Sequence, residues 1–263
     1  MSGRDELEAF LAQARGDPEA TLIGLDVDGT VSAIVSTPDE ALVEPELRAT
    51  LERVAQRYRV WFLSGRDADR AREIVGVPAA GYVGAHGLEA LDGDTLRTLA
   101  PLEDLSVQLD ALAAAVAHDL PEAAPYIKRK RWSVAFHYRA APEIASRLEE
   151  RIEARVTPAL RLHAGKMVYE VGPAIEHDKG TALAWLIETF RPRRVLVAGD
   201  DLTDVGMFRT LAEERARGGV EGIGVAVLQP GETPSEVLDA ADTAVDGVAG
   251  LQRVLLSLLS AVI

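Results

Sequence analysis

The chain has 263 residues, 48% of them hydrophobic, and 42 acidic against 28 basic residues give it a net charge of −14. That much apolar material excludes wholesale disorder and suffices for one large domain or for a core with an insertion. The charge speaks against nucleic-acid or anionic-membrane partners, and an anionic substrate would need a local cation; the absence of cysteine excludes disulfides, thiolate zinc and thiol nucleophiles.

Residues 5–15 have the spacing of a short amphipathic helix. The opening stretch MSGRDELEAFLAQARGDPEA is charged and has no signal-peptide core, so a cytoplasmic location is expected. Residues 21–28, TLIGLDVD, are a nearly unbroken apolar run ending in acids, the pattern of a strand buried on both faces. A helix is expected over 45–58, with Pro45 in its first turn, then a second buried strand at 60–64, a helix at 67–75 and a short strand at 81–84. This alternation predicts an α/β fold: a doubly wound, parallel-sheet (Rossmann-like) core. After about residue 101 the pattern changes. Helices are expected at 103–119 and 142–155, a half-exposed strand at 130–139 (KRWSVAFHYR), and a hairpin at 160–171 turning at Ala164-Gly165. The first pattern resumes with a helix at 178–190 and strands at 194–198 and 224–228, and the apolar LLSLLSAVI, too short to span a bilayer, ends the chain as a buried helix. The expected organisation is a discontinuous core, 1–101 and 172–263, with an inserted α+β cap domain, 102–171. A monomer is expected.

Two acidic strand ends stand out. Asp26 and Asp28 lie in DVDGT, and Asp200, Asp201 and Asp204 lie in GDDLTD. Ligands of open parallel sheets bind beyond the carboxyl ends of the strands. If the two strands are neighbours, the carboxylates meet there and call for a hard cation, Mg²⁺ beside phosphate. Taken singly, Asp-Gly is a common turn signal and Gly-Asp-Asp a polar loop. An EF-hand does not fit DxDG here, because its third acid, its closing Glu and a preceding helix are missing. Ser64-Gly65-Arg66 follows the second buried strand, where a hydroxyl and backbone N–H groups suit phosphate oxygens, or simply make a strand-to-helix turn. Lys179 opens a helix, a position the dipole disfavours, which points to another duty or to an ordinary surface lysine.

DVDGT, a Ser after the second strand, a Lys and GDDLTD, in that order, resemble the haloacid dehalogenase superfamily of phosphotransferases. LSGR, GAHGLE, KRWSVAFHYR, GKMVYEVGP, DKGTAL and GDDLTDVGMF together resemble the trehalose-6-phosphate phosphatases. The resemblance implies Mg²⁺-dependent hydrolysis of trehalose 6-phosphate, with Asp26 as nucleophile and Asp28 as general acid/base. It implies Asp26, the backbone carbonyl of Asp28 and Asp200 as metal ligands, supported by Asp201 and Asp204, and Ser64, Gly65 and Lys179 as phosphate contacts. Lys130 and Glu170 match positions that contact the sugar, and Arg66 and His86 match further family motifs; His86 also reads as a histidine packed in a turn. The chain departs from the pattern at Lys128, where the family usually has Glu, at Gly172, where it favours Arg, and at Val205, where an acid is frequent. Lys128 and Lys130 are expected on one face, so the cap pocket suits either trehalose 6-phosphate or another glycosyl phosphate with a second anionic group, such as a phosphorylated glycosyl-glycerate or a pseudo-disaccharide phosphate. KRKR also reads as a partly solvated face. A silent sugar-phosphate sensor would have lost the nucleophile, the acid or the metal ligands, and none is missing.

Overall fold

The computed structural model describes residues 3–34, 41–100, 102, 104–229, 231 and 233–260. In chain order these form α1 (Gly3–Gly16), β1 (Thr21–Asp26), α2 (Pro45–Ala55), β2 (Arg59–Leu63), α3 (Ala68–Val75), β3 (Gly81–Gly84), β4 (Glu89–Asp92) and β5 (Thr95–Thr98). There follow α4 (Leu105–Asp119), β6 (Ile127–Arg129), β7 (Val134–His137), α5 (Ala145–Glu153), β8 (Leu160–Gly165) and β9 (Val168–Pro173). The chain closes with α6 (Lys179–Phe190), β10 (Arg194–Gly199), α7 (Val205–Ala216), β11 (Glu221–Leu228), α8 (Ser235–Ala240), β12 (Thr243–Asp246) and α9 (Gly247–Leu259). The last residues of LLSLLSAVI, 261–263, lie outside the described residues.

The chain divides into two compact units, one of Met1–Leu99 with His177–Ile263, the other of Ala100–Glu176. The second junction falls beyond residue 171 because β9 runs on through Gly172 and Pro173, paired with Arg161 and Leu160.

The first unit is built on an eight-stranded sheet in the order β12-β11-β10-β1-β2-β3-β4-β5. It is parallel from β12 to β3, and β4 and β5 add an antiparallel edge. All six residues of β1 are buried, as a strand covered on both faces requires. Ile23 and Leu25 face one core layer with residues of α1, α2, α3 and α9, while Leu22 faces the other with residues of α6 and α7. Each fully buried Leu or Ile in these layers contributes about 1.5–3 kcal/mol. The chain winds from β1 to β2 and β3 in one direction, then from β10 to β11 and β12 in the other. The crevice at that reversal, between β1 and β10, is where open α/β sheets bind ligands.

The hairpin β4–β5, α7, α8 and β12 were not anticipated from the sequence. The hairpin turns at Gly93, whose φ of +57° suits the Asp-Gly turn signal that marks it.

The second unit is a four-stranded antiparallel sheet, β6-β7-β9-β8. Residues 130–139 are not one strand: the chain turns between Lys130 and Ser133, whose carbonyl accepts the Lys130 N–H at 2.8 Å, and β7 starts at Val134. The later hairpin turns at Lys166-Met167, not Ala164-Gly165. Ala164 and Gly165 stay extended opposite Tyr169 and Val168, and Met167 takes the positive φ (+62°) that closes the turn. One face of this sheet buries Val134, Phe136 and Val171, and α4 and α5 bury Leu109, Leu112, Val116, Leu148 and Ile152.

Candidate active site

Asp26 is the last residue of β1, Ser64 follows β2, and Asp200 follows β10. Because β2 and β10 flank β1 in parallel, these three strand ends open on one crevice. Lys179 reaches the same place from the first turn of α6. The helix start is fixed by a reciprocal cap: Asp178 accepts the Thr181 N–H at 2.8 Å and the Thr181 hydroxyl accepts the Asp178 N–H at 3.1 Å.

Lys179 is 3% exposed, and its ammonium donates to Asp26 at 2.5 Å and to Asp204 at 2.6 Å. Burial alone would lower its pKa, but the charges of Asp26 and Asp204 overcome this and raise it, so Lys179 is a fixed cation. A lysine that the α6 dipole disfavours is thus held by two buried acids. Burial pushes Asp26 well above the ordinary carboxylate range; Lys179 opposes this, and Asp204 and Asp200 add to it. Burial likewise raises Asp200 to about 6, against the hydrogen bond its carboxylate accepts from the Thr30 hydroxyl at 2.9 Å.

The carboxylates of Asp26, Asp200 and Asp204 each bring an oxygen within 4.8 Å of the others. Against one ammonium they leave two negative charges in a buried space, a donor set that fits a hard divalent cation in charge and ligand type. Asp204 is otherwise engaged: one oxygen takes Lys179, and the other accepts the N–H groups of Asp200 and Asp201, at 3.0 Å each. Asp201 turns away to accept the Leu202 N–H at 2.6 Å.

The Asp28 carboxylate lies outside that group of three. Arg66 holds both its oxygens, Nε and Nη2 each at 2.7 Å, so Asp28 and Arg66 form one two-point ion pair. Ser64 is buried, and its hydroxyl accepts the Arg66 N–H at 3.1 Å. The His86 ring lies over Gly65, where a Cβ would collide with it. His86 sits in a tight turn at φ 56° and donates its N–H to the Ser64 carbonyl at 3.1 Å. Gly29 has φ +87°, and a side chain there would run into the Asp200 carboxylate.

Three neighbours of these groups escaped sequence reasoning. Thr30 holds Asp200, and its signal was present as the last residue of DVDGT. Glu89, fully buried, accepts the Ala68 N–H at 2.7 Å at the start of α3; it is the last residue of GAHGLE. Gln229 donates to the Gly29 carbonyl, and no pattern around it announces that.

In the inserted unit, Lys128, Lys130 and Glu170 come together on one face of the sheet. Lys128 and Glu170 both stand opposite Ala135, and Glu170 accepts from Lys130 at 2.8 Å and from the Ser133 hydroxyl at 2.6 Å. Among the described residues, no helix is long and apolar enough to cross a membrane.

Comparison with known proteins bears on the family and the fold. A protein of Sinorhizobium fredii described as a probable trehalose-phosphate phosphatase is 34% identical over 215 residues, 78% of each chain. A solved trehalose-6-phosphate phosphatase of Aspergillus fumigatus superposes with a TM-score of 0.64 at 27% identity, covering 97% of this chain and 98% of that one. A solved structure described as a trehalose-6-phosphate phosphatase related protein gives a TM-score of 0.66, over 90% of this chain and 97% of the other; at 21% identity it speaks for the fold alone. The family model for trehalose-phosphatase matches residues 24–238, a span that takes in both acidic strand ends, Lys179 and the whole inserted unit. The chain belongs to the trehalose-phosphatase family.

Proposed function

We propose that the chain is an Mg²⁺-dependent phosphoric monoester hydrolase that converts trehalose 6-phosphate to trehalose and phosphate. The observation that carries the chemistry is the buried Asp26–Lys179–Asp204 arrangement at the meeting of β1 and β10. The substrate follows from the family and from relatives whose described activity is on trehalose phosphate.

Asp26 attacks the phosphorus, forming an O–P bond as the bond from phosphorus to the sugar oxygen breaks. Asp28 gives its proton to that oxygen. In the second half, Asp28 takes a proton from water, the water oxygen attacks phosphorus, and Asp26 leaves as a carboxylate. Arg66 clasps both Asp28 oxygens in the resting arrangement, so the acid step begins with Asp28 releasing this partner. Lys179, Ser64 and the N–H of Gly65 steady the phosphoryl oxygens. Asp26, Asp200 and the Asp28 carbonyl would hold Mg²⁺, which when bound supplies charge neutralisation for those oxygens. Asp204 keeps Lys179 and the loop after β10 in place, a duty that its three hydrogen bonds support. Lys130 and Glu170 offer a donor and an acceptor to sugar hydroxyls.

The test is phosphate release from a panel of sugar phosphates with and without Mg²⁺. Asp26→Asn should abolish release from every substrate, since it removes the attacking oxygen's charge. Release that survives Asp26→Asn, or that ignores chelation of divalent metal, would overturn the mechanism. Release from other sugar phosphates but not from trehalose 6-phosphate would overturn the substrate.

A further inference from the structure

Glu89 opens β4 and is fully buried, where a carboxylate loses its hydration and must be given hydrogen-bond donors. Its Oε1 accepts the N–H of Ala68, the first residue of α3, at 2.7 Å. A helix start leaves such N–H groups over, and the side chain just before the helix usually meets one of them. In α3 that residue is Asp67, a preferred capping type, yet its side chain makes no cap hydrogen bond. The acceptor comes from a neighbouring strand instead. A cap of this kind ties the position of α3 to β4, which a local cap cannot do. The end of β3 is drawn into the same contact: a Cβ on Gly84, which pairs with Glu89, would lie 2.2 Å from the Ala68 nitrogen.

The turn from Ser64 to Ala68 is laced to the turn after β3. The Val83 carbonyl accepts the Ser64 N–H at 2.9 Å, the Ser64 carbonyl accepts the His86 N–H at 3.1 Å, and the Arg66 carbonyl accepts the Ala85 N–H at 2.7 Å. Ala85 and His86, which donate the last two, both take positive φ, +49° and +56°. Two successive non-glycine residues in that region are strained, and strain persists only where the surrounding contacts enforce it. Gly87 closes the same turn onto α6: a Cβ there would lie 2.5 Å from the carbonyl oxygen of Asp178, the residue before Lys179. Residues 84–89 thus brace the Ser64 turn and the start of α6 together, all within the first unit. We propose that Glu89 is a positioning residue for phosphoryl transfer. By capping α3 from β4 it sets the distance between the two turns, and so aims the Ser64 hydroxyl at a phosphoryl oxygen. The proposal rests on the phosphatase reading above and adds to it a residue that acts through Ser64.

The test uses the full chain with Mg²⁺, trehalose 6-phosphate for turnover and inorganic phosphate for binding by calorimetry. Glu89→Leu fills a similar volume and removes the acceptor; Glu89→Gln keeps an acceptor. In the Leu variant kcat/KM should fall about tenfold, and the phosphate dissociation constant should rise by about the same factor, the effect of one misaligned hydrogen bond to a charged oxygen. Glu89→Gln should restore most of both. In a Ser64→Ala background Glu89→Leu should cost less than about twofold in either quantity, because the group being aimed is gone; a merely structural Glu89 would cost the same in both backgrounds. Where Glu89→Leu does not fold, Glu89→Asp, which keeps the charge and withdraws the acceptor by one methylene, is read in the same cycle. Wild-type values in the Leu or Asp variant, an equal loss in both backgrounds, or no recovery with Gln would each overturn the positioning role. The phosphatase reading fails separately, by phosphate release that does not depend on Asp26, and phosphate binding still reports on Glu89 in that case.

Discussion

Replacing Lys179 by Met keeps an unbranched stem of similar length and removes only the ammonium. The side chain is 4% exposed, and its two partners, Asp26 and Asp204, are 6% and 0% exposed, so water cannot take over the lost interactions. Removing one member of a buried ion pair costs about 3–5 kcal/mol, because the partner charge is left uncompensated. That is a large share of the roughly 5–15 kcal/mol by which a domain is stable. At about 2–4 °C per kcal/mol for a chain of this size, Tm should fall by roughly 10 °C. The loss should depend on pH in a definite direction. In the variant, Asp26 keeps every cause that raises its pKa above the ordinary 3.8 and loses Lys179, which opposes them. A folded pKa above the unfolded one means that the penalty is complete at pH above the folded value and is relieved as pH falls towards the unfolded value. Calorimetry of metal-free protein at pH 7.5 and 5.5 should therefore show the larger deficit at 7.5. The double variant Lys179→Met/Asp204→Asn should recover part of it, since one orphaned charge is gone. A deficit under about 1 kcal/mol at pH 7.5, or one that grows on acidification, would refute the claim that these three groups form one buried electrostatic unit.

Two further outcomes follow from the same site. Asp200 is raised to about 6 by burial, so the metal-free wild type should gain stability in urea as pH falls from 7.5 towards 5, and excess Mg²⁺ should remove most of that gain by favouring the ionised acids. A flat pH profile in chelator would contradict the burial of Asp200. Gly29→Ala places a Cβ at φ +87° against the Asp200 carboxylate and should cost about 1–3 kcal/mol, while raising the Mg²⁺ concentration needed for half-maximal phosphate release. Unchanged metal dependence in that variant would mean that the turn after β1 moves freely of Asp200.

The elements that were legible in the sequence are those whose pattern is local. The apolar runs ending in acids became β1 and β10, because a strand covered on both faces needs no alternation to announce it. Pro45 marks the start of α2 through chemistry confined to one turn. The β4–β5 hairpin escaped because it is a short edge, exposed along β5, and its single turn signal sits among other Gly and Asp residues. The turn of the β8–β9 hairpin was misplaced because Gly165 looks like a turn residue, yet the chain spends its positive φ on Met167. At the site, residue types pointed to the acids and to the lysine, whereas partner choice did not follow from type. That Asp28 is clasped by Arg66, and that Asp204 spends both oxygens on Lys179 and the loop backbone, depends on contacts 38 and 25 positions apart. The inserted sheet was the least legible part. Its register decides which of Lys128 to Arg131 share a face, and a turn within KRWS is invisible to a periodicity argument.

The long sequence separation within the site also bears on when activity can exist. Asp26 and Lys179 are 153 positions apart, and Thr30 and Asp200 are 170 apart. At about 5–20 residues per second, synthesis puts on the order of ten seconds or more between the two halves. During that interval β2 can pair with β1, but β10 does not yet exist, so one side of a fully buried strand is an open edge. Its terminal acid is still without the ammonium that will balance it. The inserted unit, by contrast, is contiguous and is completely synthesised before Lys179 is added. A nascent chain arrested between the end of the insert and β10 therefore carries a finished insert and an unfinished sheet, an object for chaperones rather than a slow enzyme. The buried group of Asp26, Lys179 and Asp204 is completed late, once α6 and β10 have joined the waiting strand.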